Sequence, residues 1–262
     1  KFLTDVCHQE DATRPTTSGF NYHMDAIRNG LADEVDVVGL NYKPHDYAKL
    51  HAKYPQYKLY GSETVSTWSS RGIYKFPVQE TSSSWYDDYQ LSSYDLEHAR
   101  WSCTPDIELA QQEHCDFIMG EFVWTGFDYL GEPTPYNKDL TNLLNFSDPK
   151  ELEKARKELE ELGKIKAPSR SSYFGIVDLC GFPKDRYYNY KSYWRPDVPT
   201  VHILPHWNWE ERIGEITPVH IYTSGDAVEL FLNGKSLGRR EKAHSYDRLT
   251  WDDVRYEPGS LK

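Results

Sequence analysis

Lys58-Leu-Tyr-Gly-Ser-Glu-Thr64 is an apolar, aromatic run that reaches a glycine and then presents one carboxylate, Glu63, between Ser62 and Thr64. Two neighbours share its form. Upstream lies Val35-Asp-Val-Val-Gly-Leu-Asn-Tyr42, and downstream lies Asp116-Phe-Ile-Met-Gly-Glu-Phe-Val-Trp-Thr-Gly-Phe-Asp128. Each reads as a short strand whose C-terminal end carries polar or aromatic groups. Side chains at that end of parallel strands are the ones a (β/α) barrel uses for chemistry. The three stretches therefore predict an α/β fold with Glu63 at the mouth of its strand.

Working outward, residues 1–14 read as the end of a helix and a polar turn, and Arg14 to Phe20 as a short strand after a proline. Met24 to Asp33 gives a short helix. The run 35–42 is almost continuously apolar, as a strand covered on both faces should be. His45 to Tyr54 reads as a helix, with Tyr47, Leu50 and Tyr54 at spacings of three and four. Residues 64–104 break the rhythm, being rich in Ser, Tyr and Trp without a period. So long an irregular stretch inside a domain is usually functional, and it reads as a βα loop walling a pocket. Thr104-Pro-Asp-Ile-Glu108 then opens a helix with a cap, a first-turn proline and acids at the positive end of the dipole. A strand from Phe117 to Trp124 follows.

Residues 148–163 predict the clearest helix, capped by Asp148 and Glu151, with Leu152, Ala155, Leu159 and Leu162 on one stripe. Its charges form a solvated face. Tyr173 to Asp178 reads as a short strand or turn and Arg186 to Trp194 as a closing helix. Beyond Pro199 the period becomes two, in Val201-His-Ile-Leu204, Val219-His-Ile-Tyr222 and Val228-Glu-Leu-Phe-Leu232. Leu232-Asn-Gly-Lys235 is a strong hairpin signal, because Asn-Gly suits a type I′ turn. The predicted organisation is residues 1–198 as one α/β domain and 199–262 as the N-terminal part of an all-β, immunoglobulin-like sandwich.

Composition narrows the partners. Of 262 residues, 15% are aromatic, including 20 Tyr and 8 Trp. Such rings fill a core and also stack on the apolar faces of sugars. The net charge of −11 argues against nucleic acid and anionic membranes as partners. No apolar run approaches the ~18 residues of a membrane span, so no membrane insertion is expected. The 4 cysteines form no C-x-x-C pair, and the 10 histidines show no metal spacing, so neither a metal nor a cofactor is expected. The N-terminus lacks a signal-peptide core and starts without methionine in what reads as mid-domain sequence. Both ends read as cut, and the chain is expected to be a fragment or processed product.

Several stretches together resemble glycoside hydrolase family 2, most closely its β-galactosidases of the polysaccharide-degrading type. They are Asp11-Ala-Thr-Arg-Pro-Thr-Thr17, Val37 to Tyr42, Gly61-Ser-Glu-Thr64 with Ser69-Ser-Arg-Gly72, Gly120 to Pro135, Phe174 to Asp178, and Leu230 to Leu237. The long 120–135 motif is highly specific, and the resemblance runs along nearly the whole chain. It implies a (β/α)8 TIM barrel, of which residues 15–20, 35–42, 58–63 and 117–124 would be the last four strands, followed by β-sandwich domains. It also implies retaining, exo-acting hydrolysis of terminal β-linked sugars, hence a carbohydrate substrate.

On that resemblance Glu63 matches the nucleophile and Tyr42 the tyrosine that donates to it. Trp124 matches the indole stacked under the sugar, while Asn41 and Asp128 would meet sugar hydroxyls. Glu121 competes with Glu63, since it lies on a strand and would face the barrel interior. Glu63 is favoured because it ends its strand. The family's acid/base glutamate sits in an Asn-Glu pair after the fourth strand, and no such pair exists here. The fragment alone is therefore expected to be inactive. The family's β-glucuronidases grip the substrate carboxylate with an Asn-x-Lys near the region of 173–178, where this chain reads Ser171-Ser-Tyr-Phe-Gly175. That favours galactose. The alternatives are a β-glucuronidase or modified-galactan hydrolase of the same family, or a non-catalytic carbohydrate-binding protein on a barrel scaffold. A periplasmic or extracellular location is favoured over a cytoplasmic one, and a homo-oligomer is compatible with the sequence.

Overall fold

Four parallel strands in sequence order carry the first part of the chain. This computed structural model describes residues 1–138, 143, 146–161 and 170–262. By backbone contact the chain divides into two compact units, one of residues 1–67 and 100–125, the other of residues 68–99 and 126–262.

In the first unit the order is α1 (Phe2–Glu10), β1 (Thr17–Phe20), α2 (His23–Arg28), β2 (Val37–Asn41), α3 (Tyr47–Lys53), β3 (Leu59–Thr64), α4 (Pro105–His114) and β4 (Ile118–Val123). The strands pair in parallel as β1-β2-β3-β4. Every residue of β2 is buried, as its unbroken apolar run predicts. Leu40, Tyr47, Leu50 and Leu59 form one cluster with Phe20 and Ile118, so α3 packs its predicted stripe on the sheet. A fully buried leucine there is worth roughly 2–5 kcal/mol against alanine. Thr104 precedes α4 in extended backbone, but its hydroxyl makes no cap bond. Glu108 does not serve the dipole alone. Both the Tyr47 hydroxyl and Gln112 Nε2 donate to its Oε1 at 2.7 Å, and burial pushes its carboxyl pKa up.

His23 opens α2, buried, with Asp46 Oδ2 at 3.5 Å. Burial lowers its pKa below 6.5, with Asp46 opposing that and Lys43 adding to it. As pH falls through 6.5 the unfolded chain therefore takes the proton first. This stabilisation is present above that value and is lost below it. The His23→Gln variant should show a flatter pH dependence of its unfolding midpoint between about pH 7.5 and about pH 5.5. An unchanged slope would mean that another group sets it.

In the second unit residues 68–99 contain no helix or extended strand, yet many of them are buried. The Ser69 N–H donates to Tyr173 O at 2.9 Å, and the Tyr94 hydroxyl donates to Pro218 O at 2.6 Å. The unit continues with α5 (Pro149–Glu161), α6 (Asp185–Trp194), β5 (Val201–Leu204), β6 (Val219–Thr223), β7 (Ala227–Leu232), β8 (Lys235–Glu241) and β9 (Leu249–Trp251). Asp148 Oδ1 accepts the N–H groups of Lys150 and Glu151, so the predicted cap of α5 forms. Leu162 and Gly163, at the end of the expected helix, lie outside the described residues.

β5-β6-β9 form one antiparallel sheet and β7-β8 another. Val219, Ile221, Leu230, Leu232, Leu249 and Trp251 from the two sheets share one core. Asn233 and Gly234 take φ of 51° and 81°, as the Asn-Gly turn requires. Tyr94, Leu204 and Tyr222 bury one another, which ties the 68–99 stretch to β5 and β6.

Candidate active site

Register decides which side chains meet. Leu40 pairs with Gly61 and Gly61 with Glu121, so these three share the face of the sheet on which Tyr47 packs. A Cβ on Gly61 would come within 2.9 Å of the Tyr47 hydroxyl and 3.5 Å of Glu121 Cβ. Asn41 pairs with Glu63 after a register shift between Leu40 and Asn41, and both side chains come together on the opposite face.

There the Glu63 carboxylate is held at both oxygens. The Tyr42 hydroxyl donates to Oε2 at 2.9 Å, and Asn41 Nδ2 donates to Oε1 at 3.1 Å. Asn41 is itself oriented, since Ser62 Oγ donates to its Oδ1 at 2.6 Å. Strand glycines clear the room for that pair. A Cβ on Gly39 would lie 2.5 Å from Ser62 Oγ, and one on Gly19 would lie 2.8 Å from Asn41 Oδ1. Tyr42 and Val65 leave their strands with φ of 57° and 50°, which no glycine eases and which costs roughly 1–3 kcal/mol each.

The phenol oxygen of Tyr42 has a further partner. Ser66 Oγ donates to it at 2.8 Å. Ser102 Oγ in turn accepts the Ser66 N–H at 2.6 Å. Burial pushes the Tyr42 pKa well up, Ser66 pulls against this, and the charge of Glu63 adds to it. The phenol therefore stays protonated and acts as a donor. Ser62 and Ser66 are residues that sequence reasoning did not single out. The glycines opposite Ser62 were the available signal for it, whereas Ser66 lies in a stretch without periodicity.

The other expected site residues divide. Trp124 is half-buried, its backbone N–H donates to Thr64 O at 2.8 Å, and the Trp124–Thr125 peptide is cis. Glu121 does not join Glu63. It lies on the helix-covered face, where Thr64 Oγ1 donates to its Oε2 at 2.6 Å. Asp128 belongs to the second unit and its oxygens are occupied there. Lys184 Nζ lies 2.6 Å from Oδ2, and the Gly175 N–H donates to Oδ1 at 2.7 Å. Lys184 also donates to the Ser69 and Tyr173 carbonyls, and burial, then Arg186, push its pKa down to about 8. Among the described residues no three His, Cys, Asp or Glu come together in a way that could hold a metal ion. Among them no helix is long and apolar enough to cross a membrane.

Glu63 is thus a carboxylate gripped by a tyrosine and an asparagine at the end of a parallel strand, and the chain is similar along most of its length to proteins named as glycosidases. The chain is 36% identical over 260 residues to the β-galactosidase BoGH2A of Bacteroides ovatus, covering 96% of this chain and 27% of that protein. It is 26% identical over 285 residues to a putative β-glucuronidase of Formosa agariphila, covering 96% of this chain and 23% of that protein. A β-glycosidase from Bacteroides vulgatus superposes with a TM-score of 0.71 at 28% identity, over 99% of this chain and 31% of that one. Residues 214–262 match the model of a domain of unknown function, DUF4982. Along nearly its whole length the chain is similar to members of glycoside hydrolase family 2. It spans about a quarter of the length of those two curated relatives.

Proposed function

We propose that this chain carries the nucleophile half of the active site of a retaining, exo-acting β-galactosidase. Residues 1–198 would be the C-terminal half of a (β/α)8 barrel and 199–262 the start of an immunoglobulin-like sandwich. The four parallel strands and the core shared by two antiparallel sheets support that architecture. The observation that carries the functional reading is the double grip of Tyr42 and Asn41 on Glu63.

In the proposed reaction a Glu63 oxygen attacks the anomeric carbon and displaces the aglycone oxygen, giving a glycosyl ester. A second carboxyl, roughly 5–5.5 Å away, protonates the departing oxygen and then takes a proton from the water that hydrolyses the ester. No Asn-Glu pair occurs in this chain, so the reading assigns that carboxyl to a segment outside it. Tyr42 and Asn41 keep Glu63 aimed, and Trp124 offers the sugar an apolar face. The test is a 2-deoxy-2-fluoro-galactoside carrying a good leaving group, applied to the full-length protein. The label should be recovered on Glu63, and a label on a peptide outside 58–72 would overturn the assignment.

Galactose is favoured over glucuronate by the 171–175 stretch, where the resemblance implies the carboxylate-gripping lysine. That stretch reads Ser-Ser-Tyr-Phe-Gly, and Phe174 is wholly buried. The next lysine along, Lys184, is committed to Asp128 and two carbonyls. Burying an uncompensated carboxylate costs several kcal/mol. An aryl β-galactoside should therefore be cleaved at least ~100-fold better in kcat/KM than the matching β-glucuronide. The relative named a putative β-glucuronidase makes the second sugar the one to compare, and equal rates would favour that reading instead.

A further inference from the structure

We propose that Ser62 is a positioning residue for the second half of the reaction, the release of the sugar from Glu63. The inference rests on the reading of Glu63 as nucleophile. It goes beyond that reading by tying one step to the residue just before the nucleophile.

An ionised carboxylate only accepts hydrogen bonds, so the Asn41 amide must turn its NH₂ to Glu63 Oε1, 3.1 Å away. Its carbonyl Oδ1 then faces Ser62, whose hydroxyl donates to it at 2.6 Å. Among the described residues that hydroxyl is the one donor to Oδ1. Asn41 is buried, so bulk water is no substitute. The place of the hydroxyl is reserved by the backbone. Gly39 lies against it on β2, where a Cβ would fall 2.5 Å from Ser62 Oγ.

The two half-reactions use this arrangement differently. While Glu63 is charged, its own field holds the Asn41 NH₂ in place, and the bond from Ser62 adds little. Once Glu63 is a glycosyl ester the charge is gone. A hydrogen bond to a neutral oxygen is roughly half as strong as one to a charged oxygen. Ser62 is then the tether that keeps the amide aimed. In the release step a water oxygen bonds to the anomeric carbon and gives its proton to the second carboxyl. The bond from that carbon to the Glu63 oxygen breaks, and its electron pair returns to the carboxylate. Negative charge grows on Glu63 during this step, and a donor already in place stabilises it without first having to turn. In the attack the same charge disappears, so a fixed donor gives that step no comparable help.

The test uses the full-length protein and the 2-deoxy-2-fluoro-galactoside that labels the nucleophile, or its glucuronide counterpart if the protein favours that sugar. Loss of activity on mixing times the attack, and its return after removal of excess reagent times the release. Ser62→Ala should slow the return about fivefold, one neutral hydrogen bond's worth, and the inactivation less than about twofold. On a dinitrophenyl glycoside whose turnover is limited by release, kcat and KM should fall together, with kcat/KM within about twofold of wild type. In an Asn41→Ala background the serine change should slow the return less than about twofold, because its effect runs through the missing amide. Ser62→Cys keeps the shape with a weaker donor and should slow the return about two- to threefold, so it carries the test if Ser62→Ala does not fold. Equal slowing of attack and release, or of release in both backgrounds, would mean a merely structural role and would overturn the proposal. So would a return as fast as wild type's in either serine variant. A label on a residue other than Glu63 would overturn the nucleophile reading and this proposal with it. A label on Glu63 with equal slowing of both steps removes only the task given to Ser62.

Discussion

Glu63→Gln should lower kcat of the full-length protein by roughly 10³ or more, about 4 kcal/mol of transition-state stabilisation. The substitution keeps the side chain's length and removes the attacking charge. An amide oxygen in the same place does not displace an aryl or sugar oxygen, so the covalent route closes. Affinity should change far less. The half-buried Trp124 is untouched, and a glutamine carbonyl can still accept the Tyr42 proton. The amide then sets an N–H₂ against Asn41 Nδ2, which now donates at 3.1 Å, so a few-fold rise in KM is expected from that clash. Glu121→Gln is the control, because Glu121 lies on the other face of the sheet with Thr64 as donor. Steady-state kinetics of both variants on one aryl glycoside decide the matter. An inactive Glu121 variant beside an active Glu63 variant would reverse the roles assigned to them.

That reversal was open from sequence for a reason visible in the sheet. Alternation tells inward from outward residues only while the register holds, and a slip of one residue exchanges the faces. The pairing of β3 with β4 shifts between Leu59 and Gly61 and again between Gly61 and Thr64. Counting by twos from Leu59 and from Ile118 therefore puts Glu63 on the helix-covered face and Glu121 on the other, the reverse of their places in the structure.

Features that rest on local chemistry were legible. Val37 to Leu40 is apolar without a break and is buried throughout, Asn233-Gly234 makes its hairpin turn, and Asp148 caps α5. The pairings that complete the site join distant residues without any periodic signal. Ser66 meets Tyr42 across 24 positions, and Tyr47 meets Glu108 across 61. Asp128 shows the same limit, since its partner in the structure is a buried lysine far along the chain, Lys184.

Asp95→Asn should destabilise the second unit by about 3–5 kcal/mol, the usual cost of removing one partner of a buried ion pair. Asp95 and Arg186 both have side chains with 0% exposure, and Arg186 Nε lies 3.0 Å from Asp95 Oδ1. The rest of the guanidinium is also committed, Nη1 to Phe174 O and Nη2 to Ser69 Oγ, each at 3.0 Å. Arginine does not shed its proton, so loss of the carboxylate leaves a full charge in a dry interior. Asparagine is the informative replacement. Asp95 sits at φ of 62°, a backbone that asparagine tolerates and alanine does not, so Asn isolates the charge from the strain. Asp95→Ala should cost about 1 kcal/mol more for the same reason. Pairing either change with Arg186→Met should recover part of the loss, since no charge is then stranded. Urea unfolding followed by tryptophan fluorescence would measure all four proteins. A loss below about 1 kcal/mol for Asp95→Asn would mean that water reaches the pair and that the 68–99 stretch is not held by it.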